Sequence, residues 1–324
     1  MTKLDDYQPA SRSSGFQKPK SGLSIYIVVF LLAAGFLILV ALVIGFSSSS
    51  GQSFLIGGGQ CIAVVNIDQE ITVADSAPSL FSGGQSGSER IADAIYSLNK
   101  RDDVAGVLFV INSPGGSVVA TREIYKSVKE LKKPKVAYFR EVAASGGYYI
   151  STPMDYIISD PDAITGSIGV IATFTDMSSL FEKVGINATA IKSGVHKDIG
   201  SPAREMTDEE RNILQVIVNE TFDEFKSVVI EGRKGKLNLE KFGQITDGRI
   251  LSGRQAKEVG LVDALGDKRD AVKKTAELAG LPNAGEPRTC EVTIREQEKG
   301  LFGLESVFRG LFSKPEGKVS LRLE

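Results

Sequence analysis

Histidine is nearly absent from this chain. Its 324 residues include one, His196. A multi-histidine metal centre is therefore excluded, and any Ser-His mechanism would have to use that one imidazole. Cysteine is almost as scarce. Cys61 and Cys290 stand far apart, with no spacing that suits a structural zinc site. They can pair as a disulfide or stay free. Neither charge sign is in excess, since 38 basic residues face 40 acidic ones without a basic block. Nothing in that balance points to a nucleic-acid partner. No internal repeat is found.

One long apolar run stands out. From Ile25 to Phe46 the chain reads IYIVVFLLAAGFLILVALVIGF, 22 residues without a charge. As a helix that is roughly 33 Å, enough to cross a bilayer core. A cleaved signal peptide would have a shorter apolar region, about 7–15 residues. We therefore expect a retained transmembrane anchor over residues 25–46. Arg12, Lys18 and Lys20 precede the run, and no charge follows it until Asp68. The positive-inside rule then puts residues 1–24 in the cytoplasm and the rest outside a cell membrane. A Gly/Ser linker over residues 47–60 joins the anchor to the following domain.

From Cys61 onward strand and helix patterns alternate. CIAVVNI (61–67) reads as a strand, and SERIADAIYSLNKRDD (88–103) as a helix presenting Ile91, Ala94, Ile95 and Leu98 on one face. AGVLFVI (105–111) is a strand buried on both faces, REIYKSVKELKK (122–133) an amphipathic helix, and KVAYFR (135–140) a strand. A helix is expected to open at Ala143–Ser145, followed by a strand DYIISD (155–160). This order predicts an α/β domain. Thr207 and Glu210 form a capping box before a long helix. Its apolar positions are Ile213, Leu214, Ile217, Val218, Phe222, Phe225 and Val229. DGRILSGRQAKEVGLVDALG (247–266) reads as turn, helix, turn, and a final charged helix follows. The domain spans 61–282, and the tail 283–324 has weaker patterning, with LFGLESVFRGLF expected to pack on the domain or a neighbour, contact with the membrane surface being the alternative.

Two short stretches can carry chemistry. INSPGGSVVAT (111–121) is a strand, a tight turn through Gly115-Gly116, and a helix start. Backbone N–H groups at such a turn are unpaired, and glycines let another backbone come close. Pro-Gly-Gly also punctuates ordinary turns, and the loop lacks the Lys-Ser/Thr ending of a P-loop. In EVAASGGYYIS (141–151), Ser145 is flanked by alanines and glycines. If the two turns lie side by side at the carboxyl edge of a parallel sheet, a hydroxyl sits beside N–H donors. Acyl transfer needs that arrangement. A serine also needs a base. Lys192, His196 and Lys197 all lie in IKSGVHKDIGSPAR, and spacing does not choose among them. A lysine base must lose its proton near neutral pH, which a neighbouring carboxylate opposes. Asp198 must therefore point away from Lys197 or be engaged elsewhere, with Arg204 a candidate partner.

The runs INSPGGSV, ASGGYYIS, TGSIGV, KSGVHKDIGSPAR and DGRILSGRQAKEVGLVDALG, in that order, resemble the signal peptide peptidase A family, from about Cys61 to Gly280. The resemblance implies a Clp protease/crotonase-like fold of stacked ββα units, and a membrane-anchored serine protease with a Ser/Lys dyad and no cofactor or metal. It assigns the nucleophile to Ser145 and the base to Lys197. The oxyanion hole goes to Gly115, Gly116 and Gly146, and Ser167 orients the lysine. His196 becomes a bystander. With one copy of the domain the chain resembles the short form, which implies a ring-shaped homo-oligomer whose active sites can be shared between neighbours. The implied substrates are remnant signal peptides in the membrane. Two alternatives stand beside this reading. Crotonase-like acyl-thioester chemistry is disfavoured by extracytoplasmic placement and the lack of a nucleotide site. A catalytically silent scaffold is disfavoured because both dyad residues are present.

Overall fold

Strand β1 (Cys61–Ile67) and strand β2 (Val104–Ser113) run parallel at the centre of the sheet. Helix α1 (Ser88–Leu98) connects them. The computed structural model describes residues 60–76, 84–282 and 285–294, together with the backbone of 322–323. The expected anchor (25–46), residues 47–59 of the linker and most of the tail lie outside the described residues. Among the described residues no helix is long and apolar enough to cross a membrane.

After β2 come the two-residue strand β3 (Gly116–Ser117) and helix α2 (Val118–Glu130). Strand β4 (Lys135–Ala144) follows, then the single turn α3 (Gly146–Tyr149). β4 is ten residues long and continues past Arg140 to Ala144, so the helix opens at Gly146 rather than at Ala143. That length lets it serve two neighbours on one side. Its first half pairs with β5 (Tyr156–Ser159) and its last three residues with β6 (Ile164–Gly166). On its other side β4 lies parallel to β2, with a register shift between Ile111 and Ser113. Asn112 Oδ1 accepts the Val142 N–H at 3.2 Å and holds that irregularity.

The remaining elements are helix α4 (Ser178–Lys183), helix α5 (Asp208–Gly232), helix α6 (Leu239–Ile245), strand β7 (Ile250–Ser252), helix α7 (Gly253–Val259), strand β8 (Ala264–Leu265), helix α8 (Lys268–Leu278), strand β9 (Thr289–Glu291) and strand β10 (Arg322–Leu323). The sheet order is β7-β6-β4-β2-β1-β9, with β8 reached through β5. Every pairing in this sheet is parallel except β6 with β7. The mixed α/β expectation holds.

Strand alternation explains the two cores. Val107, Phe109 and Ile111 point to one face, where they meet Ile91, Ile95 and Leu98 of α1 and Ile124 and Val128 of α2. Leu108 and Val110 point to the other, against Ala271 and Ala276 of α8. Each such large side chain contributes about 1.5–3 kcal/mol by leaving water. On α1 the second small residue of the buried face is Ala92, with Ala94 half-buried.

Cys61 and Cys290 are joined by a disulfide. It ties the first residue of β1 to β9, where Ala63 pairs with Cys290.

Candidate active site

β2 ends in a turn that only glycine permits. Gly115 and Gly116 have φ of 110° and 149°. Ile71 clamps the turn: its N–H donates to the Gly115 carbonyl at 2.7 Å, and its carbonyl accepts the Ser117 N–H at 2.8 Å. A Cβ on Gly116 would overlap that Ile71 carbonyl. Ser113 Oγ accepts the Gly115 N–H at 3.2 Å. The backbone of β10 runs antiparallel to Gly116–Ser117, so this edge carries an extended strand.

One strand away, β4 delivers Ser145. Its φ is 50° and its ψ is −116°, a conformation costing about 1–3 kcal/mol for a residue with a Cβ. The Ser145 N–H donates to the Gly166 carbonyl at 2.9 Å, and its own carbonyl accepts the Tyr149 N–H at 2.9 Å. These bonds enforce the sharp turn from strand to helix. Ser145 is fully buried, and Oγ has no hydrogen-bond partner.

The small residues around Ser145 now have a reason. A Cβ on Gly146 would lie 2.6 Å from Thr121 Oγ1, 3.2 Å from Gly115 Cα and 3.4 Å from Gly116 N. On Gly147 it would lie 2.7 Å from the Ser113 carbonyl. The serine turn and the Gly115-Gly116 turn therefore press together, side by side. The paired tyrosines anchor the far side. Tyr148 is buried and donates to the Leu261 carbonyl at 2.9 Å. Tyr149 donates to Glu224 at 3.3 Å and packs edge-on against Tyr125.

Ser167 follows β6. Because Gly166 is in register with Ala144, Ser167 and Ser145 leave adjacent strand ends together. Ser167 has φ 48°, and its N–H donates to the Arg249 carbonyl at 2.9 Å. Among the described residues, Ser145 and Ser167 are the two non-glycines with positive φ. Both were marked out by sequence motif, and strain of this kind concentrates at functional sites.

Lys197 behaves differently. It is exposed, on a segment without regular helix or strand, and no hydrogen bond joins it to Ser145 within one chain. The competing bases are engaged elsewhere. Lys192 Nζ donates to Asp198 Oδ1 at 2.6 Å and to the Val195 carbonyl at 2.9 Å. His196 Nε2 lies 3.5 Å from Glu209. Asp198 is also held by Arg204, as the sequence argument required. The Arg204 and Lys192 hydrogen bonds keep its carboxyl far below the usual carboxylate range. Arg204 likewise holds Glu210 down at about 2, helped by the Thr207 backbone N–H. Sequence reasoning missed the Ile71 clamp and the buried Thr121 hydroxyl, which has no partner. Thr121 reads as an ordinary inward position of an amphipathic helix, and Ile71 as an isolated apolar residue in a loop.

The comparisons agree with this geometry. The model for peptidase family S49 matches residues 127–282, and that for Clp protease matches residues 82–155. A "Putative protease" of Methanocaldococcus jannaschii is 42% identical over 308 residues, covering 93% of this chain and 96% of that one. A second "Putative protease", from Synechocystis, is 44% identical over 197 residues, covering 60% of this chain and 69% of its own length. A "Putative signal peptide peptidase" of Enterococcus faecium is 35% identical over 251 residues, covering 76% and 70%. With a strained serine set against a double-glycine turn and relatives of this extent, the chain belongs to peptidase family S49, the signal peptide peptidase A group, and is a serine protease.

Proposed function

We propose that this protein is a membrane-anchored endopeptidase that degrades remnant signal peptides, with Ser145 as nucleophile and Lys197 of a neighbouring copy as general base. The observation that carries the reading is the contact between the Ser145–Gly146 elbow and the Gly115-Gly116 turn. Lys197 takes the proton from Ser145 Oγ, which attacks the peptide carbonyl carbon. The resulting oxyanion is held by the backbone N–H groups of Gly116 and Gly146, the Gly115 N–H being taken by Ser113 Oγ. The lysine then returns its proton to the leaving amine. In the second half it takes a proton from water, whose oxygen bonds to the acyl carbon, and gives that proton to Ser145 Oγ as the acyl–Oγ bond breaks. Ser167, leaving the adjacent strand end, orients the lysine. No metal or cofactor enters any step.

The shared dyad is supported by what one chain leaves uncovered. Ser145 Oγ is unpartnered and Lys197 is exposed. Ile186, Ile191 and Val195 are exposed on the same segment, as apolar groups covered in an assembly would be. An extended peptide is accommodated by the Gly116–Ser117 edge, where β10 already lies as a strand. The Cys61–Cys290 disulfide supports an oxidising, extracytoplasmic location. The uncharged run 25–46 supports the anchor, which would keep the site near membrane-embedded peptides.

A fluorophosphonate probe tests the nucleophile. Labelling should disappear in Ser145→Ala, and labelling elsewhere would reject it. Mixing the inactive Ser145→Ala and Lys197→Ala variants tests the sharing. Recovered hydrolysis is the expected result, and no recovery places both groups in one chain.

A further inference from the structure

We propose that the Thr121 hydroxyl is a third donor to the oxyanion of the tetrahedral intermediate, beside the backbone N–H groups of the glycine turns. The proposal rests on Ser145 being the nucleophile. Thr121 lies in the second turn of α2 and is fully buried. Its Oγ1 has no hydrogen-bond partner.

That isolation is unusual within this molecule. A helical threonine commonly donates to the carbonyl four residues back. Thr275 does so to Ala271 at 2.7 Å, and Thr221 to Ile217 at 3.0 Å. Ser227 and Ser151 donate to Asp223 and Gly147 in the same way. Buried Thr165, on a strand, donates to the Ala143 carbonyl at 2.7 Å. Thr121 makes no such bond, so its hydroxyl remains available while desolvated, and a buried hydroxyl in that state is unfavourable.

Its location gives that cost a use. Among the described residues, three buried side-chain polar atoms lack partners: Thr121 Oγ1, Ser145 Oγ and His196 Nδ1. Thr121 Oγ1 lies against Gly146, the residue that follows Ser145. The space that a Gly146 Cβ would fill is bounded by Thr121 Oγ1, Gly115 Cα and Gly116 N. Thr121 thus forms the wall where the two turns meet, near the positive end of the 13-residue α2, whose Ser117 gives no side-chain cap. A neutral substrate carbonyl draws little from that wall. An oxyanion draws more, so the hydroxyl acts on kcat rather than on KM.

The test uses Thr121→Val, which keeps the shape and removes the hydroxyl, and Thr121→Ser, which keeps the hydroxyl. Assays use the intact assembled protein with a fluorogenic peptide and a peptide boronate as tetrahedral mimic. Thr121→Val should lower kcat by about tenfold to a hundredfold, up to the lower end of the loss seen for removing one oxyanion donor, and leave KM within about twofold. Boronate affinity should fall in parallel. Its melting temperature should hold or rise, because an unpartnered hydroxyl has been removed. Thr121→Ser should recover most of kcat. A Thr121→Val enzyme with kcat and boronate affinity within about twofold of the parent overturns the proposal. So does a fall in kcat that tracks a lower melting temperature and is not rescued by serine. If Ser145→Ala still hydrolyses peptide, the nucleophile assignment itself fails, a result the Thr121 variants cannot produce.

Discussion

Arg204 grips Asp198 with two nitrogens, Nε to Oδ2 at 3.0 Å and Nη2 to Oδ1 at 2.7 Å. The same guanidinium reaches Glu210 through Nη1 at 2.8 Å and Nη2 at 2.5 Å. One cation therefore neutralises the carboxylate next to Lys197 and ties that segment to the start of α5.

Removing this grip should disturb the base. In Arg204→Ala, Asp198 keeps Lys192 as a partner but loses its main one. A freed carboxylate beside the proposed base favours its protonated form. The acidic limb of the kcat/KM–pH profile should then move to higher pH by about half to one unit. An unmoved limb with merely reduced stability would make Arg204 a structural residue only.

The same cluster sets an acid limit. Asp198 and Glu210 have carboxyls lowered by Arg204, so their charged forms favour the folded segment. A lowered carboxyl stabilises fully above the unfolded value near 4 and loses its effect as pH falls through the folded value, about 2 for Glu210. Residues 192–210 should therefore gain protease sensitivity between about pH 4 and 2, ahead of the sheet. In Arg204→Gln this sensitivity should already be present at pH 7. Acid resistance equal in both proteins would count against the network.

Ser145 stores backbone strain, and its relief should be measurable. Its φ and ψ mirror an extended conformation, open to glycine and unfavourable to alanine. Ser145→Gly should exceed Ser145→Ala in unfolding free energy by about 1 kcal/mol, both being inactive. Gly146→Ala should cost about 1–3 kcal/mol and lose probe labelling, since its Cβ meets Thr121 and Gly115. Denaturant titrations measure both. Equal stability of the two Ser145 variants would show that the elbow is unstrained.

The disulfide closes a loop of 229 residues in sequence separation, so it restricts the unfolded chain strongly. Cys290→Ser should lower stability by about 2–4 kcal/mol under oxidising conditions and leave kcat unchanged. An unchanged denaturation midpoint would show that β9 is held by its strand pairing alone.

Legibility followed the range of the interactions. The capping box at Thr207 and Glu210 is local and forms as read. The double-glycine turn and the serine elbow are also local, and parallel pairing brings them together. The strand end at Ala144 was missed because Glu141–Ala144 has no turn residue and is held extended by β6. β9 was missed because a three-residue edge strand shows little periodicity. The cysteine pairing is not legible in the sequence because it joins segments at opposite ends of the domain. The proposed sharing of the dyad is illegible for a reason of another kind: a sequence pattern does not say which copy of a chain supplies a side chain.

The long helix α5 carries that question to its test. Its periodicity marks Ile213, Leu214, Ile217 and Val218 as inward together with Phe225 and Val229. Only the second half sinks into the core, with Phe225, Val228 and Val229 buried. Ile213, Val216 and Ile217 stay exposed on the half that follows the Arg204 network. An apolar stripe continued beyond the core implies a second covering surface, and a neighbouring copy would supply it while bringing Lys197 toward Ser145. Ile217→Glu should therefore shift light-scattering mass from oligomer to monomer, abolish hydrolysis, and leave the melting temperature of the domain within a few degrees. A monomeric Ile217→Glu protein with full activity would place the base within the same chain as Ser145 and end the shared-site model.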